Sequence, residues 1–599
     1  MTEKSDKRYS LVKVYKTQME QIILSLIIFL PLPAALLVLA LPGTAVKAFR
    51  GIALVATGLQ LVLAIFAMTL LQTGESAPTG INQLENYQLV KQADWINVDL
   101  GSLGTIKIDY LIGLDGMSIS MILLTALVMF IAAISSFEIK EKRKGFYALF
   151  LLLSTAIMGC FAALDFFLFY LFFEFMLLPM YFLIGIWGGA NREYASIKFF
   201  IYTLAGSILI LIVMIGLYTS VIDPAATAVK MGLASADTPV GGEVIKQVQE
   251  MLSRGEISSE YLVKTFNMTA MMDGGNFIPD SIFFKGSLVG LLGGNARLIA
   301  FLLLFIGFAI KLPAVPVHTW LPDAHVEAPT AISVVLAGIL LKIGGYGMLR
   351  IAYSIFPEGA IYYAWWIGLF GVIAIVYAAY IALGTHNLKR LIAYSSVSHM
   401  GFVMLGMASL TTEGINGAIF QMFSHGIISA MLFLIAGVVY LRNKNLEIES
   451  YKGLMGKMPV YGALTVVAFF ASLGLPGFSG FVAELFVFLG GFNSHQVNGL
   501  VPMWMPVVAT LGLILGAAYY LWTLQRMYLG KFFIKDGLSA EKMTDVGSRE
   551  LLMLVPLAIL ALLFGIFPNL VLDTMNSSVS YFVDFVQQTG AANLEVIGK

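Results

Sequence analysis

Between Ile310 and Arg350 the chain reads IKLPAVPVHTWLPDAHVEAPTAISVVLAGILLKIGGYGMLR, an apolar stretch interrupted by Lys311, Lys342, His318, His325 and four prolines. Ionisable groups are expensive there: a lysine at mid-bilayer is disfavoured by roughly 2.5–3.5 kcal/mol. Proton transfer is the chemistry such residues suit. A desolvated lysine can lose about 3–5 pKa units and so exchange protons near neutrality, and imidazole titrates there unaided. His318 falls seven residues after Lys311, two helical turns along the same face. It reads either as a relay partner of that lysine or as an ordinary hydrogen-bonded loop histidine.

Four further residues extend the set. Glu174, in DFFLFYLFFEFMLLPMYFLIGIWGG, stands eight residues into an apolar segment, about 12 Å deep at 1.5 Å per residue. It is either half of a static buried ion pair or a relay carboxylate switched by a moving cation. His425, in FSHGIISAMLF, is alone in an apolar span, and Glu484 closes SLGLPGFSGFVAELF. Lys198 stands near the start of its segment, where it can snorkel to the surface or modulate Glu174. Lys389, beside Arg390, reads as a topology anchor at a membrane edge, and Asp115, His386, His399, Tyr394 and Arg526 receive no role.

The elements that position these groups are membrane helices. Of 599 residues 59% are hydrophobic and 12% charged, far from a soluble composition. Basic and acidic residues balance at 36 each, which leaves nothing to attract nucleic acid. Cys160 is the single cysteine, so internal disulfides and cysteine-ligated clusters are excluded. No phosphate-binding glycine loop follows a strand, and no cofactor is expected on this chain. The polar, mixed-charge stretch 1–16 does not read as a cleaved signal.

Apolar segments long enough to cross about 30 Å of hydrocarbon fall at 22–42, 51–71, 110–136, 146–164, 166–189, 195–221, 296–320, 328–355, 361–384, 388–410, 414–441, 459–490, 501–529 and 550–572. The expectation is an all-α polytopic membrane protein of about fourteen transmembrane helices. Lysines and arginines gather at 47–50, 140–144, 192, 389–390, 442–457 and 526–549, on one side if the helices alternate, which places that side in the cytoplasm. Both termini and the long loops 73–108 and 222–295 then lie outside, although the tail with Lys4, Lys7, Arg8, Lys13 and Lys16 runs against the rule. Within 222–295 only Val244–Arg254 reads as a short amphipathic helix. Pro313 and Pro316 break span 7 after Lys311, as Gly474, Pro476 and Gly477 break span 12 before Glu484. The two breaks are five spans apart, an odd offset, so spans 4–8 and 9–13 form an inverted repeat, and interrupted helices at matching positions point to an ion site at mid-membrane. The expected organisation is a tail and spans 1–3 (1–137), a first repeat (138–357), a second repeat (358–530), and span 14 with a tail (531–599).

The strings KLPAVPVHTWLPDAHVEAPT, LLKIGGYG, NLKRLIAYSSVSHMG, SHG and LPGFSGFVAELF, in this order over about 140–530, resemble the antiporter-like proton-pumping subunits of respiratory complex I (NADH:quinone oxidoreductase). Glutamate at Glu484, where other members carry lysine, is the mark of the M-type group. The resemblance implies that Glu174 and Lys311 form an input pair, that Lys342 with His425 forms the central connection and that Glu484 is the exit group. It implies NADH, FMN, iron–sulfur clusters and quinone in other subunits, and as partners the bilayer and other membrane-arm subunits, antiporter-like ones among them, in the bacterial inner membrane. Loops 73–108 and 222–295 are longer than the family usually shows. A sodium/proton antiporter or membrane-bound hydrogenase subunit would use the same groups, and a non-pumping scaffold would need none of them.

Overall fold

The computed structural model describes residues 22–72, 80–99, 104–235, 240–285 and 295–598, together with positions 78, 101 and 238. The basic N-terminal tail lies outside these residues. Twelve of the described helices are long and apolar enough to cross a membrane. Six precede the first break: α1 (Ile22–Ala40), α2 (Val46–Leu70), α3 (Gly116–Ser135), α4 (Arg143–Ala162), α5 (Phe166–Trp187) and α6 (Arg192–Ser220). The chain then forms the first interrupted pair, α7 (Ala296–Lys311) and α8 (Trp320–Glu327). After α9 (Thr330–Tyr353), α10 (Ala364–Leu383), α11 (Leu388–Ser409) and α12 (Thr412–Asn443) comes the second pair, α13 (Pro459–Ser472) and α14 (Ser479–Val497). α15 (Trp504–Tyr528) and α16 (Ser548–Ile566) follow.

Burial sorts these helices into a middle and a rim. The apolar windows of α9 and α12 are wholly buried within the protein and that of α11 is 94% buried, against 39% or less for α1, α2, α6, α15 and α16. A helix apolar on every side belongs either to a core or to lipid, and here the charged ones, α9, α11 and α12, take the core. α9 and α12 touch backbone to backbone where they cross: a Cβ on Gly426 would come within 2.8 Å of the Gly338 carbonyl oxygen. Only glycine permits that approach, which sets Lys342 and His425 side by side.

Two stretches differ from the sequence reading. The loop 73–108 holds a strand, β1 (Gln88–Asp99), paired antiparallel with β2 (Thr105–Leu114), which in turn runs parallel to β3 (Val263–Thr265). The third helix therefore begins at Gly116 rather than near 110, with the Asp115 carboxylate accepting from the Ser118 amide at 2.9 Å. Thr105 to Leu114 alternates apolar and polar residues at its start, a strand period, but its apolar end runs into the helix and hides the boundary. Lys107 sits among Asp109 at 3.3 Å, Asp223 at 3.5 Å and Asp94 at 3.8 Å. Burial alone would lower the lysine's pKa, and the carboxylates more than offset it, so the pKa rises. The amphipathic helix expected near 244–254 is present as Gly242–Ser253.

The second difference is the C-terminus. Instead of a tail, a 29-residue helix, α17 (Asn569–Ile597), follows α16. Its buried face, Val571, Met575, Val579, Phe582, Val586 and Gly590, repeats every three to four residues. It lies across the non-basic face of the bundle: Ser578 accepts from the Gly116 amide at 3.1 Å, Asn576 accepts from Asn416 at 2.9 Å and Gln587 donates to the Leu410 carbonyl at 2.6 Å. Its many polar residues kept it below a span's hydropathy, and without a cap signal its helical period is weak in the sequence.

Candidate functional site

At the first break α7 ends on Lys311, and the carbonyl of Ile310, freed by the interruption, accepts the Trp320 indole N–H at 2.8 Å. The HTW of the sequence thus supplies the missing hydrogen-bond donor that a buried helix end requires. Lys311 is 2% exposed, with its Nζ 3.5 Å from the centroid of the Phe173 ring and 3.1 Å from Met176 Sδ. An aromatic face and a thioether are weak partners for an ammonium. Glu174 is half-buried on the neighbouring turn of α5, but among the described residues no carboxylate reaches Lys311 within ion-pair distance. The expected direct pair is therefore open in this conformation. One Glu174 carboxyl oxygen is buried without a partner, and the Tyr170 hydroxyl lies beside the group.

Lys198 and His318 are not part of a Lys311 cluster. The Lys198 ammonium pairs with Asp323 of α8 at 2.8 Å, and Arg390 approaches the other oxygen of the same carboxylate at 3.3 Å. The pair is partly exposed, so the snorkelling alternative accounts for Lys198 and modulation of Glu174 does not. The helical offset expected to align His318 with Lys311 fails because residues 312–319 are turns, not helix. His318 instead packs its ring edge-on to Tyr377 at 5.6 Å and near Tyr394 at 6.2 Å, with Nδ1 unpartnered.

The centre is assembled differently. A π-helical turn at Leu336–Leu340 frees the Ala337 carbonyl, and Lys342 Nζ donates to it while lying 2.7 Å from His425 Nδ1. The His425 ring stands 5.3 Å from His399, centroid to centroid. His399 Nε2 meets the Ser472 carbonyl at 3.0 Å and Glu484 Oε1 at 3.8 Å. A carbonyl only accepts, so His399 carries its proton on Nε2 and leaves Nδ1, which is buried and unpartnered, with a free lone pair. A cavity of about 10 Å³ lies among His399, His425, Ser424, Gln421 and Glu484, room for about one water. The Gln421 carbonyl oxygen there is unpartnered.

Lysine, two imidazoles and a carboxylate thus form one buried line through α9, α12, α11 and α14. Such a line can hold a proton and pass it in either direction, the water supplying the step too long for a direct bond. Among the described residues no group of three or more His, Cys, Asp or Glu side chains is arranged to hold a metal ion.

His399 is the member that sequence reasoning left unassigned. Its signal was available in SSVSHMG, a histidine within an apolar helix opposite SHG, but nothing in one sequence shows that α11 and α12 face each other. Lys389, expected at a membrane edge, lies inside the protein. It is 2% exposed and donates to the Ala328 carbonyl at 2.7 Å, over the ring of Tyr440. His325 is fully buried, stacked 4.4 Å from Phe433, with both nitrogens unpartnered. Two ion pairs escaped notice because their partners are far apart in the chain: Arg350 with Asp115, and Arg297 with Glu358.

Comparison with known proteins places this arrangement in context. Residues 163–233 and 262–510 match the model of the NADH:quinone oxidoreductase/Mrp antiporter transmembrane family. The chain is 38% identical over 564 residues, 94% of its length and 96% of the relative's, to NADH-quinone oxidoreductase subunit M of Rhodobacter capsulatus. Its structure is similar to a chain of respiratory complex I from Thermus thermophilus with a TM-score of 0.71 at 27% identity, covering 94% of this chain and 99% of that one. A chain of the Mrp complex from Dietzia sp. superposes equally well, 0.71 over 96% of this chain and 99% of that one, at 19% identity, a likeness of fold.

Proposed function

This chain belongs to the NADH:quinone oxidoreductase/Mrp antiporter transmembrane family, and from that membership we propose that it is the M-type proton-translocating membrane subunit of an NADH:quinone oxidoreductase. The observation that carries the reading is the close succession of Lys342, His425, His399 and Glu484 inside the three most buried helices and the second interrupted one. Ionisable groups so deep in a membrane protein are by default a functional hypothesis, and a chain of them is the form a proton relay takes.

The proposed path enters from the basic face, taken as cytoplasmic. A proton taken up at Lys311 passes to Lys342, along His425 and His399, and to Glu484 for release outside. Glu174 acts on Lys311 across the present gap: when the chain around the first break brings the two together, the carboxylate favours the charged lysine, and when they part the proton is released. Unit charges about 4 Å apart interact by about 4 kcal/mol at an effective dielectric near 20, enough to switch occupancy. His318 serves at most as a water-linked contact of the entry region.

The twelve long helices and two interrupted ones give fourteen crossings, with spans 4–8 and 9–13 as inverted repeats and both termini outside. The energy comes from quinone reduction in partner subunits, which hold NADH, FMN, iron–sulfur clusters and quinone, while this chain carries no redox centre. Its partners are other membrane-arm subunits of the bacterial inner membrane. The names of the curated relatives favour the oxidoreductase over a sodium/proton antiporter or a membrane-bound hydrogenase.

The test is Lys342→Ala in the assembled complex, with proton uptake into sealed vesicles and quinone reduction measured together. Loss of pumping with assembly intact is expected. Undiminished pumping would show that the chain is a passive scaffold.

A further inference from the structure

On the basic face, away from the buried line, the ends of α2, α3, α4, α5, α6, α12 and α16 surround a cavity of about 790 Å³. Seven basic side chains line it against three acidic ones. Two of the basic groups are already matched, Arg442 by Glu550 and Arg549 by Glu138. The other five, Arg50, Lys140, Arg143, Arg192 and Lys444, have no ion pair with a carboxylate among the described residues. Arg50 donates to the Phe137 carbonyl, and its Nε is buried and unpartnered. Arg143 donates to the Ile139 carbonyl. Five cations held around one hollow with a single remaining carboxylate, Glu141, repel one another unless a further anion joins them.

The cavity lies where these helices end on the basic face. Trp187, which lines it, donates its indole N–H to the Glu141 carbonyl at 2.9 Å, the posture of an interfacial tryptophan. Farther along the same helices the outward side chains are apolar: Val55 and Leu59 on the helix that bears Arg50, Leu178 and Phe182 on the one that ends in Trp187. We propose that this cavity binds the headgroup of an anionic phospholipid, with its acyl chains on those apolar faces. The volume and the surplus of unpaired cations suit a headgroup with two phosphates, and basic pockets between helices on the cytoplasmic side hold such lipids. An acidic peptide would match the charge but leave the adjoining apolar faces without a purpose.

The full-length chain in neutral detergent, titrated with cardiolipin and with phosphatidylcholine of the same acyl composition and followed by native mass spectrometry, tests this. One cardiolipin is expected to bind at least tenfold more tightly than phosphatidylcholine, weakening about fivefold for each charge removed through Arg50→Gln, Arg143→Gln and Lys444→Gln. Arg143→Lys, which keeps the charge and guards against misfolding, retains the lipid. Equal retention of the two lipids, or undiminished binding in the triple variant, overturns the proposal. Displacement of the lipid by inorganic phosphate overturns it in favour of a free-anion site. Carboxylate cross-links from Lys140 or Lys444 to a neighbouring subunit in the assembled complex, with no lipid retained, overturn it in favour of a protein contact.

Discussion

The two interrupted helices solve one problem with different parts. At the first, the Ile310 carbonyl is satisfied by the indole of Trp320, and Lys311 is left against Phe173 and Met176. At the second, the equivalent Ser472 carbonyl is satisfied by the imidazole of His399, which also faces Glu484. An indole only donates, so the first break is closed to proton traffic through its own hydrogen bond. An imidazole can donate at one nitrogen and accept at the other, so the same structural bond makes the second break part of the line. The first half is thus an isolated cation waiting for a partner, and the second a carboxylate already joined to the centre.

That contrast can be broken at several points. The largest effect belongs to the shared centre: Lys342→Ala should abolish pumping and lower coupled quinone reduction by ten-fold or more in membrane vesicles. If it spares pumping, the two halves do not communicate through α9. Next, His399→Leu removes both the cap on Ser472 and the link to Glu484, and should cost more activity than His318→Leu, by several-fold in proton uptake at equal assembly. Equal effects would erase the difference between the breaks. Glu174→Gln should slow turnover strongly while Lys198→Gln changes it less than twofold, because a partly exposed ion pair such as Lys198–Asp323 contributes about 0–1 kcal/mol. A larger effect of Lys198 would return it to the entry site.

The smallest effect concerns the cover over the first half. Asp165, at the connection before α5, is almost wholly buried, accepts from the Leu168 amide at 2.9 Å and has its pKa pushed up to about 7 by burial. A carboxyl whose folded-state pKa lies above its unfolded value of about 3.9 binds more protons when folded. Stability from this group is therefore full below pH about 4 and falls as pH rises toward 7, by at most about 1.4 kcal/mol per pH unit. Asp165→Asn should flatten that slope in thermal unfolding between pH 5 and 7. An unchanged slope would place the titration elsewhere.

Much of this was legible from residue type alone. Lysines and carboxylates in apolar sequence announce themselves, as do Pro-rich and Gly-Pro-Gly interruptions. Lys342, His425 and Glu484 therefore stand out in the sequence as candidates. What stayed hidden depends on who faces whom. His399 gains meaning from α13, over seventy residues away, and Lys198 loses the expected one to Asp323 of α8. His318 was misplaced because a helical offset was carried through residues that form turns. The β1–β2 hairpin and α17 were obscured for a different reason: half-polar elements at a membrane surface have neither the apolar run of a span nor the clean alternation of a solvated strand.

The π-helical turns of α9, at Leu336–Leu340 and Met348–Tyr353, bracket Lys342 and hold one surplus residue each. Every residue inserted in or removed from a helix rotates all that follows by about 100°, so the first turn fixes the direction in which Lys342 points. The rotation is stored locally: if that turn relaxes to ordinary helical bonding, the slack migrates along α9 and Lys342 swings away from His425 while both helix ends stay in place. A change of one hydrogen-bond register in α9 would therefore alter the contact between Lys342 and His425 without displacing the ends of the helix.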